Sequence, residues 1–381
     1  MGCMSSEGMV MALLTYSTQV AVLLVGIYLA PALAIAPRLL LSPATAIAIP
    51  IVSIAVISLI TPLIEMMAIF DHTTVVVVTI LFTLCTFFRV VKLRTAVFDW
   101  PTDTRWILAF SALISLFFAV KLGIRPFDID DEIYSWNLWA LQHLFGVPID
   151  YSYTQAIYPQ LFPRLIAYGY ALLGDMELQL PVRFLFGLFP FCAFAAVGLG
   201  NRDSSSRQLA CWFIITMSLI FGIGVDGKFS LGLADPLMVA ALTLSVLYYI
   251  RYIREPSQVG NLILTVVCGF VAAFTRQQAL IWPFFSFPLL VWFNCWDDKR
   301  RRYHAVVASL LFAGVSLIWV TGEGSGFYHN PGAMQASMGT RDLLSQSVHF
   351  MFRFFIKRPL IPLLLFASAI SVFAVRRHRD I

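Results

Sequence analysis

"YPQLFPRLIAYGYALLG", residues 158–174, decides how this chain is threaded. It is apolar, and whether it crosses a membrane sets the side on which every later loop emerges. Pro163 and Arg164 interrupt it near its start, and the remainder is too short for a hydrocarbon core of about 30 Å. The stretch therefore reads as a helix lying in the membrane interface. The parity of the whole chain rests on that reading.

The surroundings leave little doubt about the solvent. Of 381 residues, 59% are hydrophobic and 12% charged, and the mean hydropathy is +0.82. A soluble domain carries about a quarter charged residues. No Pro-, Ser- or Gly-rich linker divides the chain, so one integral membrane domain is expected, all-α and polytopic. The six cysteines are scattered without metal-ligand or disulfide spacing and read as small lipid-facing or core residues. The formal charge of +5 sits at the ends of apolar runs, which argues against a nucleic-acid partner. No basic n-region precedes the first run, which reads as a span and not as a cleavable signal.

Spans are expected near 11–35, 39–61, 73–90, 105–123, 183–200, 209–224, 236–252, 260–274, 279–296, 305–321 and 359–375, roughly eleven helices in all. Lysine and arginine assign the sides. Connections holding Arg89, Lys92, Arg94 and Arg105, then Arg251 and Arg254, then "DDKRRR" (297–302), belong in the cytoplasm, as does the tail "RRHRD" (376–380). A long first external loop, about 124–182, then carries short juxtamembrane helices. A second external loop covers about 322–345.

The first external loop opens with "PFDIDDEIYSWNLW" (126–139), in which Asp128, Asp130, Asp131 and Glu132 crowd together. A helix beginning at Asp130 would use that residue as cap and hold the next two acids in its first turn. Trp136 and Trp139 lie on one helical face with His143 four residues on; an interfacial aromatic belt is the preferred reading, a sugar or lipid platform the other.

These patches, in order, resemble the GT-C superfamily of membrane glycosyltransferases, in the bacterial form similar to dolichyl-phosphate-mannose mannosyltransferases and aminoarabinose transferases. Asp131, Tyr134, Trp136 and Ala140 follow the family's spacing of acid, aromatic and small residue after the first core helix. Tyr158, Pro159, Leu161 and Pro163 resemble its "YPPL" segment, and Gly174 with Arg183 its "G…R". "LGLADPLMVA" (231–240) resembles the "GYADP" turn, and "FTRQQAL" (274–280) stands where relatives read "TKxEG". There Arg276 replaces lysine and Gln278 replaces the acid, so that acid's role is lost. The resemblance covers roughly 105–300 and implies a GT-C-like catalytic core over 105–381, with 1–104 as a three-helix extension.

The implied activity is inverting sugar transfer from a polyprenyl-phosphate carrier to a hydroxyl of a glycan, lipid or protein acceptor, on the non-cytoplasmic face of the bilayer. A bacterial inner membrane fits the compact form. A carboxylate must take the acceptor proton as the anomeric bond breaks; Asp131 is the expected base, Asp130 the runner-up and Glu132 a sugar-hydroxyl ligand. The leaving phosphate needs cations. Arg276 lies between apolar runs, where a guanidinium is costly without a partner, and it is the first choice; Lys228 and Arg183 follow. Asp235 before Pro236 reads equally as an acidic cap with proline at the first helical position or as an acceptor or metal ligand. Tyr134, Trp136, Tyr158, Gln277, Tyr328 and His329 complete the expected substrate site. No cofactor is demanded, and a divalent cation, Mg or Mn, is left open. A transporter or flippase of a lipid-linked saccharide and a non-catalytic GT-C-like subunit remain as alternatives.

Overall fold

The computed structural model of the chain describes residues 6–67, 69–93, 102–124, 126–127, 131–149, 160–176, 179–200, 234–276, 279, 282–283, 287–288 and 299–321, a few of them by backbone alone. Contacts divide the chain into two compact units, Met1–Phe327 and Tyr328–Ile381. The described residues all belong to the first.

Among the described residues all regular structure is helical. Lipid cannot hydrogen-bond a peptide group, so a spanning backbone must satisfy itself. The main helices are α1 (Ser6–Leu23), α2 (Ala30–Ile35), α3 (Pro43–Ala46), α4 (Ile49–Met66), α5 (His72–Val91), α6 (Thr102–Gly123), α7 (Leu138–Leu144), α8 (Leu161–Leu173), α9 (Gln179–Phe186), α10 (Pro190–Gly200), α11 (Asp235–Arg254), α12 (Val259–Thr275) and α13 (Lys299–Thr321). Two π-helical stretches, Leu24–Leu29 and Asp131–Asn137, interrupt the α geometry. Local chemistry sets several boundaries. Ser42 accepts from the Ala44 amide at 3.2 Å ahead of Pro43, and Asp71 accepts from the Thr74 amide at 2.7 Å to start α5. Gly174 ends α8 in the left-handed region at φ +71°.

Six helical segments are long and apolar enough to cross a membrane: Gly8–Ile35, Pro43–Met66, His72–Val91, Thr104–Gly123, Gln179–Leu199 and Asp235–Arg254. They coincide with six of the expected spans, and the chain is a multi-pass membrane protein. The expected span 260–274 falls in α12, which has 17 residues and rises only about 26 Å. The span at 305–321 falls in α13; those at 209–224 and 359–375, and most of 279–296, lie outside the described residues. Lipid contact explains otherwise puzzling exposure. Val77, Ile80, Leu81, Leu84, Phe87 and Phe88 recur at helical spacing on α5 and are all exposed, while Val75 and Thr79 face inward.

The stretch at 158–174 differs from expectation. Its described part forms α8, which at 13 residues is too short to span and is covered by protein instead of presenting one face to lipid. Every residue of α8 from Leu161 to Leu172 except Arg164 is buried, with Phe162, Ile166, Ala167 and Tyr168 fully so. An interfacial helix keeps one face on lipid; α8 is wrapped by α4, α5 and α7 and touched by α1, α9 and α12. Tyr168 and Thr79 share a hydrogen bond of 2.8 Å, and Leu23, Ile54, Val75, Tyr168 and Leu185 belong to one apolar core. Helices before and after residue 104 thus pack into the same interior.

The bundle has two distinct ends. One holds separate contacts: Glu65 with His143, His72 with Ala171 O, Phe127 with Gln179, and Arg276 with both Trp136 and Asp235. At the other, Arg89 donates to Ile35 O at 3.1 Å, Tyr248 donates to Ala44 O and Arg251 donates to Leu199 O at 3.4 Å. Arg89, Lys92, Arg251 and Arg254 all stand at that second end, the sorting their positions in the sequence lead one to expect.

Candidate functional site

At the first end, three elements distant in sequence converge. Arg276 terminates α12 in extended geometry, immediately after Thr275. Its NH2 donates to Asp235 Oδ2 at 3.0 Å, and its guanidinium carbon stands 5.3 Å from the centroid of the Trp136 ring. The Arg276 side chain is 8% exposed and that of Asp235 24%. Asp235 is not the cap of α11. Ala234 holds that position, and Asp235 is the first helical residue, an acid in the first turn. The ion pair with Arg276 takes that place, and Pro236 stands one residue further in.

Trp136 lies in the π-helical stretch Asp131–Asn137 that the acids open. A π turn widens the helix and recurs at functional sites. The tryptophans form no interfacial belt: Trp136 and Trp139 are both fully buried, edge-to-face at 5.9 Å, with Phe162 at 5.4 Å from Trp136. Ser135 between Tyr134 and Trp136 is 1% exposed, and its hydroxyl has no hydrogen-bond partner among the described residues. A buried hydroxyl left unpaired is unfavourable, and Ser135 immediately precedes the tryptophan over which Arg276 lies.

Arg183 is fully buried elsewhere at this end. It donates to Pro126 O and lies over the Phe127 ring at 4.9 Å. The Phe127 amide in turn donates to Gln179 Oε1 at 3.1 Å, and Tyr170 donates to Asn137 Oδ1 at 2.7 Å. Arg183 thereby anchors the turn that leads into the acids.

Asp131 and Glu132 begin the π-helical stretch, but their side chains and that of Tyr134 lie outside the described residues. So do Asp130, Tyr158, Lys228, Gln277, Tyr328 and His329 entirely. Of the expected site, the structure brings together Arg276, Asp235 and Trp136.

One cluster was not foreseen. Glu65, at the end of α4, meets His143 Nδ1 through Oε1 at 3.1 Å and Arg164 NH2 through Oε2 at 2.9 Å. His143 Nε2 faces Gln160 Oε1 at 3.1 Å. Both ring nitrogens thus meet oxygens, and the imidazole is held between Glu65 and Gln160. One signal existed in the sequence: an arginine within the apolar 161–173 run demands a partner acid. Nothing local identified Glu65 as that acid.

Compared with known protein families, with curated proteins and with solved structures, the chain matches none.

Among the described residues no group of three or more His, Cys, Asp or Glu side chains is arranged to hold a metal ion. The charge at this site is instead a guanidinium with one carboxylate neighbour, seated on an indole. Such a guanidinium offers planar, forked N–H donors to an oxyanion. The indole face supports either the cation or a sugar ring.

Proposed function

We propose that this chain is an inverting membrane glycosyltransferase of the GT-C type, with roughly eleven spans, which moves a sugar from a polyprenyl-phosphate carrier to an acceptor hydroxyl. In this reading the Asp235–Arg276–Trp136 end faces away from the cytoplasm, because the basic helix ends lie opposite. A bacterial inner membrane and an envelope glycan, lipid or protein acceptor suit it. The GT-C-like core runs over 105–381 with 1–104 as its extension.

The observation that carries the reading is Arg276 held between the Asp235 carboxylate and the Trp136 ring, Trp136 lying in the helical stretch that begins with Asp131 and Glu132. Donor phosphate, sugar and acceptor need a cation, a flat apolar surface and a carboxylate within one mouth. The acceptor hydroxyl gives its proton to Asp131 while its oxygen attacks the anomeric carbon. The bond from that carbon to the phosphate oxygen breaks, and its electron pair leaves on the phosphate. Arg276 receives the growing negative charge, and preorganised charge of this kind lowers the barrier most where water is excluded. Arg183 holds the turn that places the acids, and Lys228 is a further phosphate ligand in this scheme.

Purified Asp131→Asn protein should elute and bind donor like the parent and lose nearly all transfer of labelled sugar from a polyprenyl-phosphate donor. If Asp130→Asn is the inactive variant instead, the base is the neighbouring aspartate. Full transfer by every acid-to-amide change over 128–132 would sink the proposal.

A further inference from the structure

The second end of the bundle carries an independent feature. There α10, α11 and the turn into α12 enclose a cleft of about 410 Å³. Val197 and Leu199 from α10 and Val246, Leu247 and Ile250 from α11 form its apolar walls. Arg251, Arg254, Glu255, Gln258 and Asn261 form its polar rim. Arg251 is positioned by donating to Leu199 O at 3.4 Å, across from α11 to the end of α10. The Glu255 carboxylate accepts from the Gln258 amide, whose Oε1 accepts from Asn261 Nδ2 at 3.2 Å. α12 begins at this rim, and Arg251 and Arg254 stand in the last turn of α11, against its carbonyl end.

The level of the cleft narrows the choice of ligand. Two membrane-crossing segments, Gln179–Leu199 and Asp235–Arg254, both end at its rim. A ligand here places one part among headgroups and another along helices that run into hydrocarbon. Two arginines and one glutamate leave a single positive charge among the described lining residues. We propose that this cleft binds one anionic phospholipid carrying a single net charge, with its phosphate at Arg251 and Arg254 and an acyl chain against Val246 and Ile250. Basic pockets between helices at a membrane surface recognise such headgroups. The occupant would bridge α10 and α11 at the end opposite the proposed transfer site, and the inference stands without the transferase reading.

The test uses the full chain, purified in mild detergent and offered equal amounts of phosphatidylglycerol and phosphatidylcholine, with native mass spectrometry to count retained lipid. One phosphatidylglycerol per chain should be retained, about fivefold or more in preference to phosphatidylcholine. Arg251→Gln and Arg254→Gln should each weaken retention about fivefold. Lys92→Gln, an exposed lysine at the same end that does not line the cleft, should leave it unchanged. Equal retention of both lipids by the parent protein overturns the proposal, and that comparison needs no variant to fold. So does unchanged retention in both arginine variants, or displacement of the lipid by glycerol phosphate at equal concentration, which would make the cleft a site for soluble anions.

Discussion

The guanidinium of Arg164 and the carboxylate of Glu65, 99 positions apart, meet fork to fork: NH2 to Oε2 at 2.9 Å, and Nε to Oε1 and Oε2 at 3.2 and 3.0 Å. Both side chains are largely buried, at 13% and 19% exposure. Removing Glu65 strands the guanidinium, at a cost of about 3 kcal/mol or more, whereas removing Arg164 leaves the carboxylate with His143. Glu65→Gln and Arg164→Met should each lower the thermal midpoint in detergent, and the double variant should lose less than the sum. Additive losses would mean that the pair contributes no coupling.

Arg276→Lys keeps the charge and loses the fork, so donor binding should weaken severalfold, and Arg276→Ala should weaken it further. Both are read by donor titration alongside transfer rate. Transfer at the parental rate in both variants would reduce Arg276 to a partner for Asp235.

Ser135 offers a sharper discrimination. Its hydroxyl is buried without a partner among the described residues, so a purely structural role predicts that Ser135→Ala is neutral or stabilising. A ligand that bonds the hydroxyl predicts unchanged stability with KM raised severalfold, about the value of one hydrogen bond. Melting curves and a KM-against-kcat comparison separate the two.

Gly174 is constrained twice, by φ +71° and by His72, whose Cε1 would stand 2.9 Å from an added Cβ. Gly174→Ala should cost about 1–2 kcal/mol from backbone strain alone, plus the displacement of His72, which hydrogen-bonds Ala171 O at 2.6 Å. In a His72→Ala background the steric part should vanish and the strain remain. Equal losses in both backgrounds would remove His72 from the account.

Asp71 supplies a pH dependence. The Thr74 amide donates to its carboxylate, and that bond lowers its proton affinity in the folded state. A carboxyl whose folded pKa is depressed contributes stability above the unfolded value, and the contribution fades as pH falls through the folded one. Asp71→Asn retains a capping group that does not titrate. The acid-side fall in thermal midpoint should therefore be shallower in the variant; identical curves would mean that the cap adds nothing.

The six spans were legible because apolar length is a local property, and the shared end of Arg89, Lys92, Arg251 and Arg254 was legible because these residues cluster in short connections. The Arg276–Asp235 pair was half legible. The sequence showed that a buried guanidinium needs a counter-charge, and phosphate was the expected one. Asp235, 41 positions upstream, became its neighbour only when α11 and α12 packed side by side. The burial of Trp136 and Trp139 was hidden for a related reason: a tryptophan near a helix end looks the same whether lipid or α8 covers it. Glu65 was passed over because it closes a span, where an acid ordinarily meets water.

The enclosure of α8 bears on how the protein is made. Synthesis delivers α1, α4 and α5 before it, so the carboxylate awaiting Arg164 is already at the membrane when that arginine emerges. A chain begun at residue 102 would present the same helix with its guanidinium uncompensated, which is unfavourable. The first hundred residues therefore act as the mould in which the later ones set, and trimming them should forfeit insertion of α8 before it touches any chemistry.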